Sequence, residues 1–442
     1  MASDLLSIAA SGARTARAAL DVTAQNIANA SSESYVRRSA WMEEVSAAGG
    51  QNRVGDISLS GSRIAGIRRN ADMFRQAEVR RTGSDLARAQ TELRGLENLQ
   101  ASLEQPGIHR AIVELEGALQ QLSTDPTSLS LRAAVLAGAD TLARKFNIAA
   151  ETLEAAGEGL RFDAAAKVEE TNVTAGELAR VNIRLARAGP GSSDRAALLD
   201  QRDALLERLS GAVNISTSFA ADGAVTVAAG GATMISGGDA YSLAMATAAD
   251  GTIAFSIAGT PIAPSGGSLS GAALALRTGV DVRARLDALA DSIGGTFNAA
   301  QTAGVALDGT PGQPVFAGAG AAGIAVVVSD GAALATAPAG APAGSRDGAN
   351  LAMLRQALDN GGASETMNGL LFDISSAVSG RGVTRDALDS IAASARIALE
   401  AQAGVDLDTE AANLMRFQQA FQASGRAMQV AGRIFDTLME LR

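Results

Sequence analysis

The chain has 442 residues, of which 47% are hydrophobic, 3% are aromatic and 19% are charged, and its formal net charge is −10 at pH 7. At roughly 100–200 residues per domain this length predicts several domains, and the scarcity of aromatic residues predicts thin cores built from alanine and aliphatic side chains. The acidic balance, the lack of a basic stripe, the absence of cysteine and the single histidine argue against nucleic-acid binding, thiol chemistry and sites built from several histidines.

The first predicted element is a helix over residues 4–30 with a seven-residue apolar repeat. Its stripe alternates by threes and fours through Leu6, Ala9, Ala13, Ala16, Leu20, Thr23 and Ile27. This spacing is typical of a coiled-coil interface. Because several positions are Ala or Thr, the interface is shallow, and we expect the helix to need a partner. Charged residues interrupt the run, so it is neither a signal peptide nor a membrane span, and we expect no membrane insertion.

Residues 34–70 are predicted to be extended, because Val, Ile and aromatic residues stand there among Ser and Gly; three of the expected strand residues are Val54, Ile57 and Leu59. Helical periodicity then returns over 72–105, 108–122, 129–188 and a segment ending at Gly211. The predicted breaks are Pro106, Asp125-Pro126, Gly189-Pro190-Gly191 and a further one near Gly157 and Gly159.

Residues 212–270 have a different pattern, with apolar residues alternating with small polar ones and Gly-containing pairs at hairpin spacing. They predict a small β domain inserted between helices. Helix is predicted again over 269–303, followed by a Gly/Pro/Ala-rich segment over 305–345 with one strand, Ile324–Val328. Further helices are predicted over 347–359 and 364–403.

The last segment, 407–442, repeats the heptad pattern of the first. Its stripe contains Leu414, Phe417, Phe421, Met428, Ala431, Phe435 and Leu438. The predicted fold is therefore mainly α with an inserted small β domain: an elongated helical hairpin with terminal coiled-coil helices, a helical shaft and the β domain at its apex. The expected domains are a terminal coiled-coil domain (1–71 and 404–442), a shaft (72–211 and 271–403) and the β domain (212–270).

Candidate chemical motifs are weak. Asp406, Asp408 and Glu410 have the spacing that opens a calcium loop, but the positions that require Gly and Glu are occupied by other residues, so helix-start carboxylates are the better interpretation. Asp200 and Asp203 are interpreted as ion-pairing residues of a helix. His109 is assigned a surface or capping role. We predict no catalytic residue, no cofactor and no metal, and hence no enzyme.

The two terminal stripes are the informative feature. They can pair with each other within one subunit, yet two shallow helices side by side leave part of each open, and we expect that part to pack against neighbouring subunits. The predicted assembly interface comprises Leu6, Ala9, Ala13, Ala16, Leu20, Ile27, Leu414, Phe417, Phe421, Met428, Phe435 and Leu438.

The opening of the chain resembles that of the flagellar rod, hook and hook-associated proteins. The resemblance rests on Leu5–Gly12 and Leu20–Ala30, although the usual Thr-Pro-Gly-Tyr continuation is replaced by Ser32-Glu33-Ser34-Tyr35. Leu198–Leu206, Gly404–Leu414 and Phe417–Ser424 are similar to the junction-type members, the hook-associated protein 1 family. The alternative is another axial protein, a hook or rod subunit.

This resemblance implies a non-enzymatic structural protein of the bacterial flagellum at the hook–filament junction. It implies export by the flagellar type III apparatus, which makes the protein cytoplasmic before export and secreted afterwards. It also implies a homo-oligomer in the axial lattice that contacts hook protein and hook-associated protein 3. A dedicated export chaperone is expected at the C-terminal helix.

Overall fold

The computed structural model describes residues 2–32, 35–45 and 61–440. Ten α-helices form within these ranges: α1 Ala2–Ala28, α2 Met73–Glu104, α3 Ile108–Leu122, α4 Leu129–Arg187, α5 Ser193–Ala212, α6 Gly267–Ala303, α7 Gly320–Gly323, α8 Ala349–Gly361, α9 Ala363–Ala403 and α10 Leu407–Glu440. The prediction of a mainly helical chain with long terminal helices is confirmed. Val54, Ile57 and Leu59, and Glu33 and Ser34 of the predicted turn, lie outside the described residues.

The strands are short and antiparallel wherever their pairing is described. They are β1 Arg38–Glu44, β2 Ser62–Arg69, β3 Ile215–Phe219, β4 Val225–Ala229, β5 Ala232–Ser236, β6 Asp239–Ala240, β7 Leu243–Thr247, β8 Ile253–Ile257, β9 Thr260–Ile262, β10 Gly304–Val305, β11 Phe316–Ala317, β12 Ala325–Val326 and β13 Ala337–Pro338. β1 and β2 form a hairpin with a register shift between Trp41 and Met42. The predicted β region between α5 and α6 is confirmed as two sheets, of order β3-β4-β5-β6 and β7-β8-β9.

The contacts divide the chain into two compact units. Unit 1 comprises Met1–Ser84, Glu170–Leu243 and Asp389–Arg442, and unit 2 comprises Asp85–Glu169 and Ala244–Leu388. The domains expected from the sequence have different boundaries from these units, because they were placed where the secondary structure changes. Which segments fold independently therefore stays a prediction.

Unit 1 joins helix α4 to the four-stranded sheet through a buried asparagine. The side-chain amide of Asn182 donates to the carbonyl oxygens of Val225 and Gly237, both at 2.8 Å, and its oxygen accepts the Val225 N–H at 2.9 Å. Val225 and its strand neighbour Val227 are also fully buried. The sheet is therefore fastened to the helix by hydrogen bonds as well as by apolar contact.

Unit 2 contains an extensive apolar core, built mainly from α2, α3, α4, α6, α8 and α9. Phe297 and Phe316 meet edge to face in it, with ring centroids 5.4 Å apart. Arg132 is fully buried beside this core and donates to the carbonyls of Pro126, Gly331 and Leu334 and to the Thr336 hydroxyl. Burial lowers the pKa of Arg132, and its partners are neutral oxygens rather than a carboxylate.

The predicted break near Gly157 and Gly159 is wrong, because α4 is continuous from Leu129 to Arg187. A glycine inside a helix costs about 1 kcal/mol relative to alanine. On either side of the two glycines Leu153 and Leu160 are buried, and the packing of such side chains outweighs that cost. The segment over 305–345 also differs from the prediction: β12 falls within the predicted strand, whereas β10, β11 and β13 were not predicted.

Candidate assembly surface

The N- and C-terminal helices pack against each other within unit 1. Gly12 of α1 faces Ser424 of α10 so closely that a side-chain carbon on the glycine would lie 3.0 Å from Ser424 Oγ. After α1 the chain reverses direction, and Arg37 forms an ion pair with Glu410 in the first turn of α10, with Nε 2.7 Å from Oε1. The end of α1 therefore lies beside the start of α10, and the two helices are antiparallel.

The predicted interface residues of α1 differ in exposure. Ala9, Ala13 and Ala16 are buried, whereas Leu20 is half-buried. Leu6 and Ile27 remain exposed, at 46% and 36%. The small residues of the repeat are thus covered within the chain, and the larger residues are covered less.

The predicted residues of α10 are less covered. Leu414, Phe417 and Met428 are half-buried. Phe421 and Phe435 are exposed, at 43% and 52%, and the side chain of Leu438 lies outside the described residues. Exposed aromatic side chains in a chain with so few aromatics mark a surface that a partner would cover.

The β1–β2 hairpin contacts another side of α1 through polar side chains that the apolar repeat did not select. The Ser62 N–H donates to Ser11 Oγ at 3.2 Å, and Thr15 Oγ1 donates to the Ser62 carbonyl at 3.2 Å. Ser11 and Thr15 are themselves buried. Helix α1 therefore contacts both α10 and the hairpin.

Asn26 fixes the chain reversal after α1. Its side chain donates to the Arg38 carbonyl at 2.8 Å and accepts the Arg38 N–H at 3.0 Å, and the Tyr35 hydroxyl donates to the same oxygen at 2.8 Å. Asn26 is 1% exposed. Its place in the quoted N-terminal motif was the only sequence signal for this role, because it lies off the apolar stripe.

A buried ion network holds the hairpin to α5. Asp200 accepts Arg38 Nη2 and Arg69 Nε, both at 2.8 Å, and Asp203 accepts Arg69 Nη2 at 2.8 Å and Arg202 Nη2 at 2.6 Å. Burial raises the pKa of the Asp200 carboxyl, and the charges of Arg69 and Arg38 oppose that rise. The predicted ion pairing is confirmed, but most of the partners come from the distant hairpin.

The connection between α9 and α10 is held by the segment that directly precedes β1. The Arg37 N–H donates to the Ala403 carbonyl at 2.9 Å. Asp406 accepts the N–H groups of Asp408 and Thr409, as a helix cap does, at 2.9 and 3.1 Å. The prediction of first-turn carboxylates is confirmed for Asp408 and Glu410, whereas Asp406 precedes the helix and caps it. Glu410 has a further role, because it is buried and paired with Arg37.

No side-chain cluster suited to metal binding is found among residues 2–32, 35–45 and 61–440. Those ranges contain no group of three His, Asp or Glu side chains placed to hold a metal ion. His109 Nε2 lies 3.0 Å from the Ser364 hydroxyl and is half-buried. In the same described ranges, no helix has the length and apolarity needed to span a bilayer.

Comparison with known proteins gives two family matches. The family described as "Flagellar hook-associated protein FlgK helical domain" matches residues 93–316, about half of the 442-residue chain. The family described as "Flagellar basal body rod FlgEFG protein C-terminal" matches residues 399–441, which include all of α10.

Curated relatives and a solved structure carry matching names. Flagellar hook-associated protein 1 of Bacillus subtilis is 26% identical over 210 residues, covering 46% of this chain and 41% of that protein. Its Salmonella typhimurium counterpart is 26% identical over 332 residues, covering 71% and 59%. The flagellar hook junction protein FlgK of Burkholderia pseudomallei has a TM-score of 0.49 and 26% identity, covering 55% and 46%. The chain thus spans about half the length of these relatives.

Proposed function

The chain belongs to the flagellar hook-associated protein FlgK family, and from this premise we propose that it is a structural subunit of the hook–filament junction. The family is one of structural flagellar proteins rather than enzymes. The observation that carries the proposal is the antiparallel α1–α10 pair, in which Ala9, Ala13 and Ala16 are buried and Phe421 and Phe435 are exposed. Such a surface suits a subunit that is completed by its neighbours.

Polymerisation takes place through the terminal helices. In an axial lattice the exposed members of the predicted interface, above all Leu6, Phe421 and Phe435, pack against adjacent copies of the chain. Hook protein lies on one side of the resulting ring and hook-associated protein 3 on the other. The names of two relatives support a position at the hook, since both are called flagellar hook-associated protein 1.

Before assembly the C-terminal helix is engaged by a dedicated chaperone, and the chain leaves the cell through the flagellar type III apparatus. An amphipathic helix with exposed aromatic residues at helical spacing suits a groove-shaped receptor. Phe421 and Phe435 then serve the chaperone first and the lattice afterwards, so the two partners cannot occupy α10 together.

The test compares Phe421→Asp with Gln422→Asp, two adjacent exposed positions of α10. An aspartate at 421 would be buried unpaired at either interface, at a cost of several kcal/mol. We expect it to lose both chaperone binding and recovery in purified flagella, whereas Gln422→Asp behaves like the parent. If Phe421→Asp binds the chaperone and joins flagella as well as the parent does, this face is not the shared interface.

A rod or hook subunit is the second candidate. The observation in its favour is the match of residues 399–441 to the rod-type C-terminal family. The match of residues 93–316 to the hook-associated helical domain favours the junction. Imaging of purified hook–filament complexes with this subunit labelled separates the two, because label along the hook or rod rather than at its distal end would contradict the junction assignment.

A further inference from the structure

Unit 2 contains several buried polar atoms that have no hydrogen-bond partner in the protein. Seven such side-chain atoms occur among the described residues, and four of them belong to residues of unit 2 that we call the polar cluster: Arg88, Glu92, Ser268 and Arg385. Buried polar groups are almost always hydrogen-bonded, so unpartnered atoms gathered in one place indicate a binding site. The contacts of α2, α6 and α9 show that these four residues are gathered in one place.

Two contacts establish that α2 and α9 run antiparallel in unit 2. Glu92 Oε1 of α2 lies 2.7 Å from Arg381 Nη2 of α9. Shortly after the end of α2, His109 Nε2 lies 3.0 Å from the hydroxyl of Ser364, at the start of α9. Later residues of α2 therefore lie beside earlier residues of α9.

This direction places Arg88 and Arg385 at the same level. Arg88 lies one turn before Glu92 and Arg385 lies one turn after Arg381, so both are displaced from the Glu92–Arg381 ion pair in the same direction. Arg88 forms no ion pair within residues 2–32, 35–45 and 61–440. Arg385 Nε lies 2.8 Å from Asp386 Oδ1, but without the angle of a hydrogen bond. Two half-buried arginines at one level repel each other unless an anion lies between them.

Helix α6 packs closely against α2 and runs in the same direction. A side-chain carbon on Gly271 would lie 3.0 Å from Glu92 N, and one on Gly279 would lie 3.3 Å from Leu99 Cδ2. The later residue of α6 thus meets the later residue of α2, and the two helices are parallel over this stretch.

The first turn of α6 lies beside the two arginines. Ser268 lies one turn before Gly271, and Arg88 lies one turn before Glu92, so Ser268 and Arg88 are at the same level. Gly266, which precedes α6, has no side chain to cap the helix. The positive end of the α6 dipole is therefore beside the polar cluster, where it favours a negative charge.

The polar cluster offers three hydrogen-bond donors and one acceptor. Arg88 Nε, Arg385 Nε and Ser268 Oγ can donate. Glu92 Oε2 can only accept, and Glu92 is 6% exposed with its other oxygen held by Arg381. We propose that the cluster binds a hydrogen phosphate ion. The phosphate oxygens accept from the two arginines and the serine, and the P–OH group donates to Glu92 Oε2.

Charge and protonation select hydrogen phosphate over other occupants. Arg88, Arg381 and Arg385 exceed Glu92 and Asp386 by one positive charge, which favours an anion. Sulfate has no proton at neutral pH, so it would place an oxygen against the Glu92 carboxylate without a hydrogen bond. Ordered water could complete the hydrogen bonds, but it would leave the excess charge uncompensated. The Arg385 side chain is 40% exposed, so the ion can enter beside it.

Thermal melting of the full chain tests the site, with inorganic phosphate as the probe. Phosphate, sulfate and chloride are compared at neutral pH and equal ionic strength. At phosphate concentrations about tenfold above Kd, we expect the melting temperature to rise by about 2–4 °C over that in chloride. Sulfate should give a much smaller rise. The absence of a rise with phosphate, as expected if water fills the cluster, overturns the proposal, and so do equal rises with phosphate and sulfate.

Variants of two donors locate the bound phosphate. Ser268 Oγ has no partner in the protein, so Ser268→Ala should fold like the parent and raise the Kd for phosphate about fivefold in titration calorimetry. Arg88→Gln should abolish the phosphate-dependent rise in melting temperature. The matched control is Arg94→Gln, because Arg94 is exposed on the same helix and its side chain donates only to Thr91 Oγ1. If Ser268→Ala and Arg88→Gln respond to phosphate as Arg94→Gln does, the ion binds elsewhere and the proposal is wrong.

Replacing the acceptor tests the choice of phosphate. The amide of Glu92→Gln can donate as well as accept, so it no longer disfavours sulfate. We expect phosphate and sulfate to raise the melting temperature of this variant equally. If the preference for phosphate persists, Glu92 does not accept from the P–OH group and the assignment of hydrogen phosphate is overturned. The proposed junction role does not depend on either outcome, because the site lies within unit 2 and involves no other subunit.

Discussion

Replacing Asn26 tests how the N-terminal motif shapes the assembly surface. The side chain makes three hydrogen bonds, two with the Arg38 backbone and one with Tyr35, at 2.8 to 3.0 Å. Each is worth about 1 kcal/mol, and a buried group left without a partner adds to the loss. We therefore expect Asn26→Ala to destabilise the α1–hairpin contact by about 2–4 kcal/mol.

The only tryptophan of the chain makes this local measurement possible. Trp41 lies in β1, three residues after the Arg38 backbone that Asn26 holds. Its fluorescence during urea unfolding of the full chain should report loss of the hairpin. With a slope of about 2–3 kcal/mol per M, Asn26→Ala should lower the Trp41 midpoint by about 1 M.

Asn29→Ala is the matched control. Asn29 belongs to the same motif but is exposed, and its side chain donates only to the Gln25 carbonyl, at 2.8 Å. Asn29→Ala should lower the free energy of unfolding by no more than about 0.5 kcal/mol. If Asn26→Ala shifts the Trp41 transition no more than Asn29→Ala does, the asparagine does not hold the reversal.

Three further changes probe the supports of each unit. Backbone N–H groups hold the pKa of the Asp406 carboxyl below its usual 3.8, so the stabilisation of α10 by this cap is present above that pH and is lost as the pH falls through the lowered pKa. Asn also caps helices but does not titrate, so Asp406→Asn should remove this part of the acid-induced loss of helical circular dichroism. An unchanged acid profile would contradict the cap. Gly191→Ala should lower the free energy of unfolding reported by Trp41 by about 1–2 kcal/mol. The reason is that Gly191 has φ 72° and that the Cβ of an alanine there would lie 3.0 Å from Gly66 Cα. Gly189→Ala has open space around the added Cβ and should lower the free energy of unfolding less. Arg132→Lys should lower the calorimetric stability of unit 2 by about 2–4 kcal/mol, since lysine cannot reach the four oxygens that the guanidinium binds; an unchanged melting temperature would contradict that role.

Helix boundaries were predictable where the sequence contains strong stop signals. The third helix was expected over 108–122 and is observed as Ile108–Leu122, directly after Pro106 and Gly107. The break near Gly157 was predicted from the same signal and is wrong, because tertiary packing overrides a single-residue preference. Strands as short as β10 and β13, with two residues each, carry no periodicity that a sequence can show.

The apolar part of the candidate surface could be predicted, and the polar part could not. The heptad spacing selected Ala9, Ala13 and Ala16, which are buried. The bonds between Arg38 and Asp200 join residues 162 positions apart. Periodicity describes one helix at a time and contains no information about such partners.

The contacts of α1 are uneven along its length, and this predicts the order in which the terminal helices become fixed. Thr15 and Asn26 bond to the hairpin, whereas Leu5 and Leu6 are 52% and 46% exposed. Few buried apolar contacts mean a low free energy of local opening. In the isolated chain we therefore expect slow amide hydrogen exchange in the second half of α1 and fast exchange in its first turns.

The same reasoning applies to α10, with the direction reversed by the antiparallel pairing. Glu410 is buried against Arg37 at the start of α10, and Phe435 near its end is 52% exposed. Exchange should be slow at the start of α10 and fast towards its end, so the loosely held ends of both helices lie side by side. Purified flagella should show slow exchange throughout both helices, because neighbouring copies then cover the exposed residues. Equal protection along α1 and α10 in the dilute isolated chain would show that these helices are complete without neighbours, and would remove the physical reason for polymerisation through them.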